Sequence, residues 1–468
     1  MNYYFLGIGG IGMSALARYF KRTGHSVAGY DRTESPLTQQ LVAEGIDIHY
    51  EDNPALLPEQ IDLVVYTPAV PHDTLEFQTI EERGIAMKKR SEVLGELTEG
   101  KRCIAVAGSH GKTTTSSMIA HLLNSAPVGC NAFLGGIAKN YDSNLLMNEK
   151  SDYVVVEADE YDRSFLQLHP HIAVITSTDP DHLDIYGTHE ELLKAFEQFA
   201  NQVDADGTLV VKEGLVEEHH HEHEHEHEEE EAHHLTIHNE GLKTFTYSAR
   251  SIEPDYYAIN VRNYKGDLFF DLRTPERVLF DLQLTASCLY NVENAVAAAA
   301  VALQCGLDEY QLRNGLKTFS GIRRRFDVRI KEKELVYIDD YAHHPREIAA
   351  TIESVRYLYP DKRVVGIFQP HLYSRTRDLA DQFAEVLDSL DETILIPLYP
   401  AREKPIAGVS SGMILRKMQT MNKYLCTPEQ VPDLVVALCP DVVLTMGAGD
   451  IDRLVPTLEK ALRENLSE

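Results

Sequence analysis

Residues 102–124 read RCIAVAGSHGKTTTSSMIAHLLN, and no other stretch limits the fold as strongly. Residues 103–107 are apolar and strand-like, residues 108–112 form a tight loop, and a helix is expected from Thr113. A helix start carries unpaired backbone N–H groups and the positive end of the dipole, so it attracts phosphate. Gly108 and Gly111 let the backbone close around phosphate oxygens with no Cβ in the way. Lys112 supplies a charge for β/γ-phosphates, and Thr113 a hydroxyl for Mg²⁺. The full pattern G-x-x-x-x-G-K-S/T is shortened, because Val106 stands where its first glycine would be. An ordinary strand–turn–helix with a stray lysine is the plain alternative.

The N-terminal stretch carries a second loop of this kind. A short apolar strand at 3–6 runs into Gly7-Ile8-Gly9-Gly10-Ile11-Gly12 and a helix over about 13–22. The next strand, 26–30, ends at Asp31, 19 residues after Gly12. This is the dinucleotide-binding fingerprint with its ribose acid, although the loop can hold any diphosphate. Read alone it suggests an NAD-dependent oxidoreductase, and a tight turn without ligand is the other reading. Further β and α signals extend to a boundary near Glu99-Gly100.

Downstream of the phosphate loop, two apolar strands end in metal-type ligands. One closes at Glu157-Ala158-Asp159-Glu160-Tyr161-Asp162, the other at Asp179-Pro180-Asp181-His182-Leu183-Asp184. Carboxylates at the carboxyl ends of parallel strands lie where substrate and Mg²⁺ bind in open α/β sheets. Strands at 244–247, 257–261 and 268–271 suggest an antiparallel addition. Asn291 opens an Ala-rich helix, where an N-cap is its simplest role. Arg323, Arg324 and Arg325 are a phosphate clamp or a solvated patch. The last third alternates β and α again. Its strands end at Asp339-Asp340-Tyr341-Ala342-His343-His344-Pro345, at Gln369-Pro370-His371, and at Gly447-Ala448-Gly449-Asp450.

Residues 217–231, EEHHHEHEHEHEEEE, are too charged to bury and are expected to form part of a disordered insert at about 215–234. A solvated insert is the simpler reading, and transition-metal binding through its imidazoles the other. Lys+Arg is 44 against Asp+Glu 73, a formal charge of −29, which speaks against nucleic acid or an anionic membrane as partner. The six cysteines include no C-x-x-C pair, so free thiols in a reducing compartment are expected. No leader-like segment stands before the first strand, and no apolar run reaches the roughly 18 residues of a membrane helix. A cytoplasmic protein is expected.

Taken together, the motifs resemble the Mur ligase family of peptidoglycan synthesis along nearly the whole chain. The resemblance rests on GIGGIGMS at 7–14, GSHGKTTT at 108–115, EADEYD at 157–162 and DHLD at 181–184. It rests further on Asn291 and Asn294, Arg324-Arg325-Phe326, DDYAHHP at 339–345, and the stretches 369–378, 400–411 and 447–450. The glycine-rich start and DDYAHHP favour the alanine-adding branch, with a ligase that recycles murein peptides as the alternative.

The resemblance implies an α/β fold of three domains. These are a Rossmann-like substrate domain at 1–99, a central ATPase-type parallel sheet with an antiparallel addition at 100–326, and a Rossmann-like domain at 327–468. It implies an ATP- and Mg²⁺-dependent ligase that phosphorylates the carboxylate of UDP-N-acetylmuramate and passes the acyl group to L-alanine, in a monomer or homodimer. The first glycine loop (Gly9, Gly10, Ile11, Gly12 and Ser14) then holds the diphosphate of the UDP-substrate instead of NAD. Gly108, Ser109, His110, Gly111, Lys112, Thr113, Thr114, Asn291 and Arg325 would hold ATP. Thr113, Glu157 and His182 would hold metal, and His344 and Arg375 the amino acid. Lys112, His182 and His344 are the implied catalytic set. The family often has an arginine where this chain has Leu372, which shifts weight onto Arg375.

Overall fold

The computed structural model describes residues 1–180, 183–216, 234–239, 241–285, 287–401 and 403–467. The chain divides into two compact units. One comprises residues 1–259, 271–282 and 293–319, and the other 260–270, 283–292 and 320–468.

The first sheet contains β1 (Asn2–Leu6), β2 (Ser26–Tyr30), β3 (Asp47–His49), β4 (Leu63–Tyr66) and β5 (Met87–Lys89), in the order β3-β2-β1-β4-β5. Its pairs are all parallel, with Leu6 level with Tyr30 on one side and Tyr66 on the other. Strand order reverses around β1, so the loop after Leu6 opens into the crevice where such sheets bind ligands.

The central sheet runs through β6 (Arg102–Ala107), β7 (Asn131–Ala138), β8 (Ser143–Leu146), β9 (Tyr153–Glu157), β10 (Ile172–Ile175), β11 (Thr208–Lys212), β12 (Lys243–Ser248), β13 (Tyr256–Tyr264), β14 (Asp267–Arg273) and β15 (Val278–Leu284). Their order is β15-β14-β13-β12-β11-β10-β6-β9-β7-β8. β6 lies between β9 and β10, parallel to both, with Val106 level with Glu157 and Ala107 with Ile175. The phosphate loop, the 157–162 segment and the chain after Ile175 therefore leave the same edge side by side. The expected antiparallel addition starts later than the sequence suggests, because β12 pairs in parallel with β11. It begins with β13 and β14, joined by Lys265 (φ 55°) and Gly266 (φ 77°). A two-residue link with both residues left-handed is a hairpin turn, which makes that pair antiparallel.

One apolar core serves both of these sheets. Tyr3, Phe5 and Phe20 belong to the same buried cluster as Phe133, Leu145, Val156 and Phe196. Arg18, buried at 2 % exposure, fastens the seam. Its Nε donates to both carboxylate oxygens of Glu44, at 2.9 and 3.1 Å, and Nη1 to Asn144 Oδ1 at 2.5 Å. Asn144 Nδ2 in turn donates to Ile11 O and Ser14 Oγ.

The second unit holds β16 (Asp327–Lys331), β17 (Val336–Asp340), β18 (Val364–Phe368), β19 (Glu392–Leu395), β20 (Lys423–Leu425) and β21 (Val442–Met446), ordered β16-β17-β21-β18-β19-β20. Only the β16–β17 pair is antiparallel. Asp340, Met446 and Phe368 are level, so the loops carrying the two histidines, Gly447 and Gln369 emerge together.

Most of the His/Glu-rich insert lies outside the described residues. Its expected edges are ordered: Val216 bridges Leu235 and both are buried. Four cysteines are buried and free as expected, whereas Cys426 is half-buried and Cys439 exposed. Among the described residues no helix is long and apolar enough to cross a membrane.

His121 sets an acid limit on the helix Lys112–Asn124. It is buried, with ring nitrogens 3.0 Å from Tyr141 Oη and from Thr318 Oγ1. Burial lowers its pKa from 6.5 to about 4. The unfolded chain thus binds a proton that the folded one refuses, and stability falls as pH drops from about 6.5 towards 4. The loss should reach about 3 kcal/mol. His121→Gln should flatten the thermal midpoint across that window; an unchanged slope would assign the acid sensitivity elsewhere.

Candidate active site

The phosphate loop is held open by its neighbour strand. Ser109 N and His110 N donate to Ser177 O and Ser177 Oγ, Ser109 Oγ donates to Asp179 O, and Thr176 Oγ1 donates to His110 O. Gly108 has φ +131°, and a Cβ there would lie 2.2 Å from Thr176 Oγ1 and 2.7 Å from Ser177 N. Only glycine fits. Gly111 (φ +84°) caps the helix with no side-chain bond to its first turn. The helix ladder begins at Thr115 N, which donates to Gly111 O. The amides of Lys112, Thr113 and Thr114 therefore have no intrahelical partner, and they form a nest for an anion.

Lys112 lies folded over this nest. Its Nζ donates to Gly108 O at 2.7 Å and to Glu160 Oε1 at 2.8 Å. Burial opposes its charge, but Glu160, Glu157 and Asp159 outweigh that and raise the ammonium's pKa.

Glu157 ends β9 one strand away. Its Oε2 is buried and has no hydrogen-bond partner. A carboxylate oxygen in that condition beside two more acids is a hard anionic site that suits Mg²⁺. The room for it comes from Gly135, where a Cβ would lie 2.1 Å from Glu157 Oε2. His182, the other metal ligand expected from the sequence, lies outside the described residues.

In the first glycine loop the structure reassigns two side chains. Asp31 accepts from Gly9 N at 2.8 Å and from Thr33 N at 3.1 Å, so its carboxylate braces the loop instead of waiting for a ribose. Ser14 is fully buried; its hydroxyl donates to Ile11 O and accepts from Asn144. Gly10 N is used in a turn to Gly7 O. The helix Ile11–Arg22 begins its ladder at Ser14 N, which leaves the amides of Ile11, Gly12 and Met13 without intrahelical partners and open to an anion. Arg90 covers this end: its Nη1 lies 2.9 Å from where a Gly12 Cβ would be, and its Nη2 3.4 Å from Asp159 Oδ2.

The second unit presents its own cluster. His344 caps the helix Pro345–Leu358, and its Nδ1 accepts from Arg346 N. His343 Nδ1 donates to Tyr341 O at 2.9 Å. The His343 and His371 rings meet edge to face at 6.0 Å, and His371 stacks on Tyr399. Burial and the Arg375 guanidinium lower both His343 and His344, against the pull of Glu347. Arg375 Nη1 is buried without a hydrogen-bond partner, a donor suited to a carboxylate. Leu372, just before it, holds φ +71°, a strained value for a branched side chain. Arg325 is exposed and shares the face of Tyr341 with Arg324. Arg324 is tied down, donating to Gly447 O at 2.5 Å and lying 3.7 Å from Asp339. Asn291 is buried near Ser287, 3.1 Å away.

Sequence reading missed Glu160, Arg90, Gly135 and His343. Glu160 and His343 lay inside motifs already singled out, three residues after Glu157 and next to His344. Arg90 and Gly135 gave none.

Three family models match in series: the Mur ligase family catalytic domain over residues 2–102, the Mur ligase middle domain over 106–302, and the Mur ligase glutamate ligase domain over 324–449. A Parabacteroides distasonis protein named UDP-N-acetylmuramate–L-alanine ligase is 50% identical over 465 residues, covering 98% of this chain and 96% of that protein. The crystal structure of a UDP-N-acetylmuramate-alanine ligase from Thermotoga maritima matches with a TM-score of 0.82 at 26% identity, over 99% of both chains. A murein peptide ligase from Psychrobacter arcticus shares the fold, with a TM-score of 0.67 at 20% identity over 99% of this chain and 98% of that one.

Proposed function

The chain belongs to the Mur ligase family, and from that premise we infer that it joins the carboxylate of UDP-N-acetylmuramate to L-alanine, driven by ATP, in peptidoglycan precursor synthesis. The observation that carries this reading is the 50% identity to an alanine-adding ligase across nearly the full length of both chains. The likeness to the peptide-recycling ligase reaches only the fold.

We propose the three domains at 1–99, 100–326 and 327–468. ATP phosphates would settle on the amides of Lys112, Thr113 and Thr114, with Gly108, Ser109, His110 and Gly111 shaping the loop. The UDP-substrate's diphosphate would meet Ile11 and Gly12 within the 9–14 stretch. Thr113, Glu157 and His182 would hold Mg²⁺, which when bound screens the two anions that must meet. Asn291 and Arg325 would serve ATP, and Arg375 with His344 the carboxylate and amine of L-alanine.

Amide formation from a free carboxylate is slow because oxide is a poor leaving group, and coupling to ATP cleavage makes it favourable. The substrate carboxylate oxygen attacks the γ-phosphorus and ADP leaves, giving an acyl phosphate. The amine of L-alanine then attacks the acyl carbon, and phosphate departs with the original carboxylate oxygen. Lys112 neutralises charge as it grows on the transferred group. The test is phosphate release from ATP with UDP-N-acetylmuramate present: it should require L-alanine. Release that requires a peptide and ignores L-alanine would favour the recycling activity.

Gly135→Ala probes the metal assignment. The clashing atom is the mobile end of a side chain, so the new Cβ should push the Glu157 carboxylate aside without unfolding the sheet. The Mg²⁺ concentration for half-maximal activity should rise on the order of tenfold. An unchanged Mg²⁺ titration would remove Glu157 from the metal site.

A further inference from the structure

Lys112 is fixed from behind by a group with no role so far. Glu160 is fully buried, and its Oε1 accepts one hydrogen bond from the Lys112 ammonium at 2.8 Å. Gly108 O takes a second. An ammonium has three donors, so one remains for an incoming phosphate oxygen. An arriving phosphate can also displace the Gly108 carbonyl contact, while Glu160 can keep hold of the lysine from the protein side.

The segment carrying Glu160 is built to stay put. Tyr186 Oη donates to Glu160 O at 2.6 Å, and Arg163 N donates to the same oxygen at 3.0 Å. Asp162 (φ 52°) and Arg163 (φ 56°) are two successive left-handed residues, neither of them glycine. Such strain survives only where the surroundings over-determine the backbone. Here Asp162 is paired with Lys89, the last residue of β5, at 2.8 Å, and Asp159 with Arg90, the first residue of the helix that follows, at 3.4 Å. The chain thus accepts strain to place one carboxylate behind one lysine.

We propose that Glu160 is the positioning residue of the phosphate loop: a buried carboxylate that holds the Lys112 ammonium aimed at the transferred phosphoryl group throughout turnover. This rests on the reading of the loop as the ATP site. Removing the carboxylate's charge would leave Lys112 buried and free to swing towards Glu157 or Asp159. The charged and titratable groups that bear on the pair are Glu157 and Asp159, with the Tyr186 phenol on the far side of Glu160.

The test compares the full-length wild type with Glu160→Gln and Glu160→Asp. Alanine-dependent phosphate release by the wild type establishes the ligase reading separately. Glu160→Gln should then lower kcat on the order of 10–100-fold. It should also raise KM for ATP and leave KM for the UDP-substrate unchanged, because only the aim of Lys112 is lost. Glu160→Asp keeps the carboxylate one methylene further back, so it should restore part of kcat and part of the ATP KM. A Glu160→Gln enzyme with wild-type kcat and ATP KM would overturn the proposal. So would a raised Mg²⁺ requirement with the ATP KM unmoved, which would make Glu160 a metal ligand. Should Glu160→Gln melt below assay temperature, Glu160→Asp decides, and wild-type kcat and ATP KM in that variant would overturn the proposal equally.

Discussion

Lys112→Ala should cost two to three orders of magnitude in turnover, or about 3–4 kcal/mol of transition-state stabilisation, with the fold retained. The size of the effect follows from geometry. The ammonium belongs to a helix start where three successive amides, those of Lys112, Thr113 and Thr114, lack intrahelical partners. With ATP bound there as proposed, negative charge would grow at this point as the γ-phosphoryl group moves between oxygens, and the side chain is only 13 % exposed, so water cannot substitute. The variant also strands Glu160, a fully buried carboxylate, and loss of stability could be mistaken for loss of chemistry. The double variant Lys112→Ala/Glu160→Gln separates the two: it removes the stranded charge, so the melting temperature should recover while turnover does not. Steady-state phosphate release together with thermal melts of both variants gives the answer. Turnover within about threefold of wild type in a folded Lys112→Ala protein would remove the lysine from phosphoryl transfer.

How much of this was readable from the residues depended on range. The loop at 108–112 was legible because its constraints are local: two glycines, a lysine and a helix start fix both conformation and chemistry. The same holds for the strand ends at Glu157 and at Asp339-Asp340, since an apolar β-branched run that stops at acids can hardly end elsewhere. What escaped is set by pairing across the fold. β12 looks like its antiparallel successors in composition, and only its choice of β11 as partner makes it parallel. Asp31 has the spacing of a ribose ligand, yet its carboxylate turns inward to Gly9 N. Ser14 belongs to a glycine-loop motif but faces the seam with Asn144, 130 residues away. Arg90 reaches Asp159 across 69 residues. None of these contacts has a periodicity or a local pattern, so no reading of a single stretch could supply them.

Oxygen from the UDP-N-acetylmuramate carboxylate should appear in every phosphate released with amide. The expectation separates a ligase from an ATPase that leaks beside one. If the carboxylate is phosphorylated first, one of its oxygens bridges carbon and phosphorus. The amine then attacks carbon, the C–O bond breaks, and that oxygen leaves on phosphorus. Direct hydrolysis takes its oxygen from water instead. The structure favours the first route in two ways. The segment from Glu157 to Asp162 places an unpaired carboxylate oxygen and a lysine–glutamate pair at the strand edge beside the phosphate loop, which suits the meeting of two anions. The chain after Ile175 pins the same loop through Thr176, Ser177 and Asp179, so the nest is formed before ligand arrives. Substrate labelled with ¹⁸O at both carboxylate oxygens, incubated with ATP and L-alanine, should give phosphate with one heavy oxygen for each amide, the other remaining in the amide carbonyl. Omitting L-alanine should leave the label in the carboxylate and little phosphate in solution. Unlabelled phosphate formed in step with amide, read by mass spectrometry, would eliminate the acyl phosphate and require a different activation of the carboxylate.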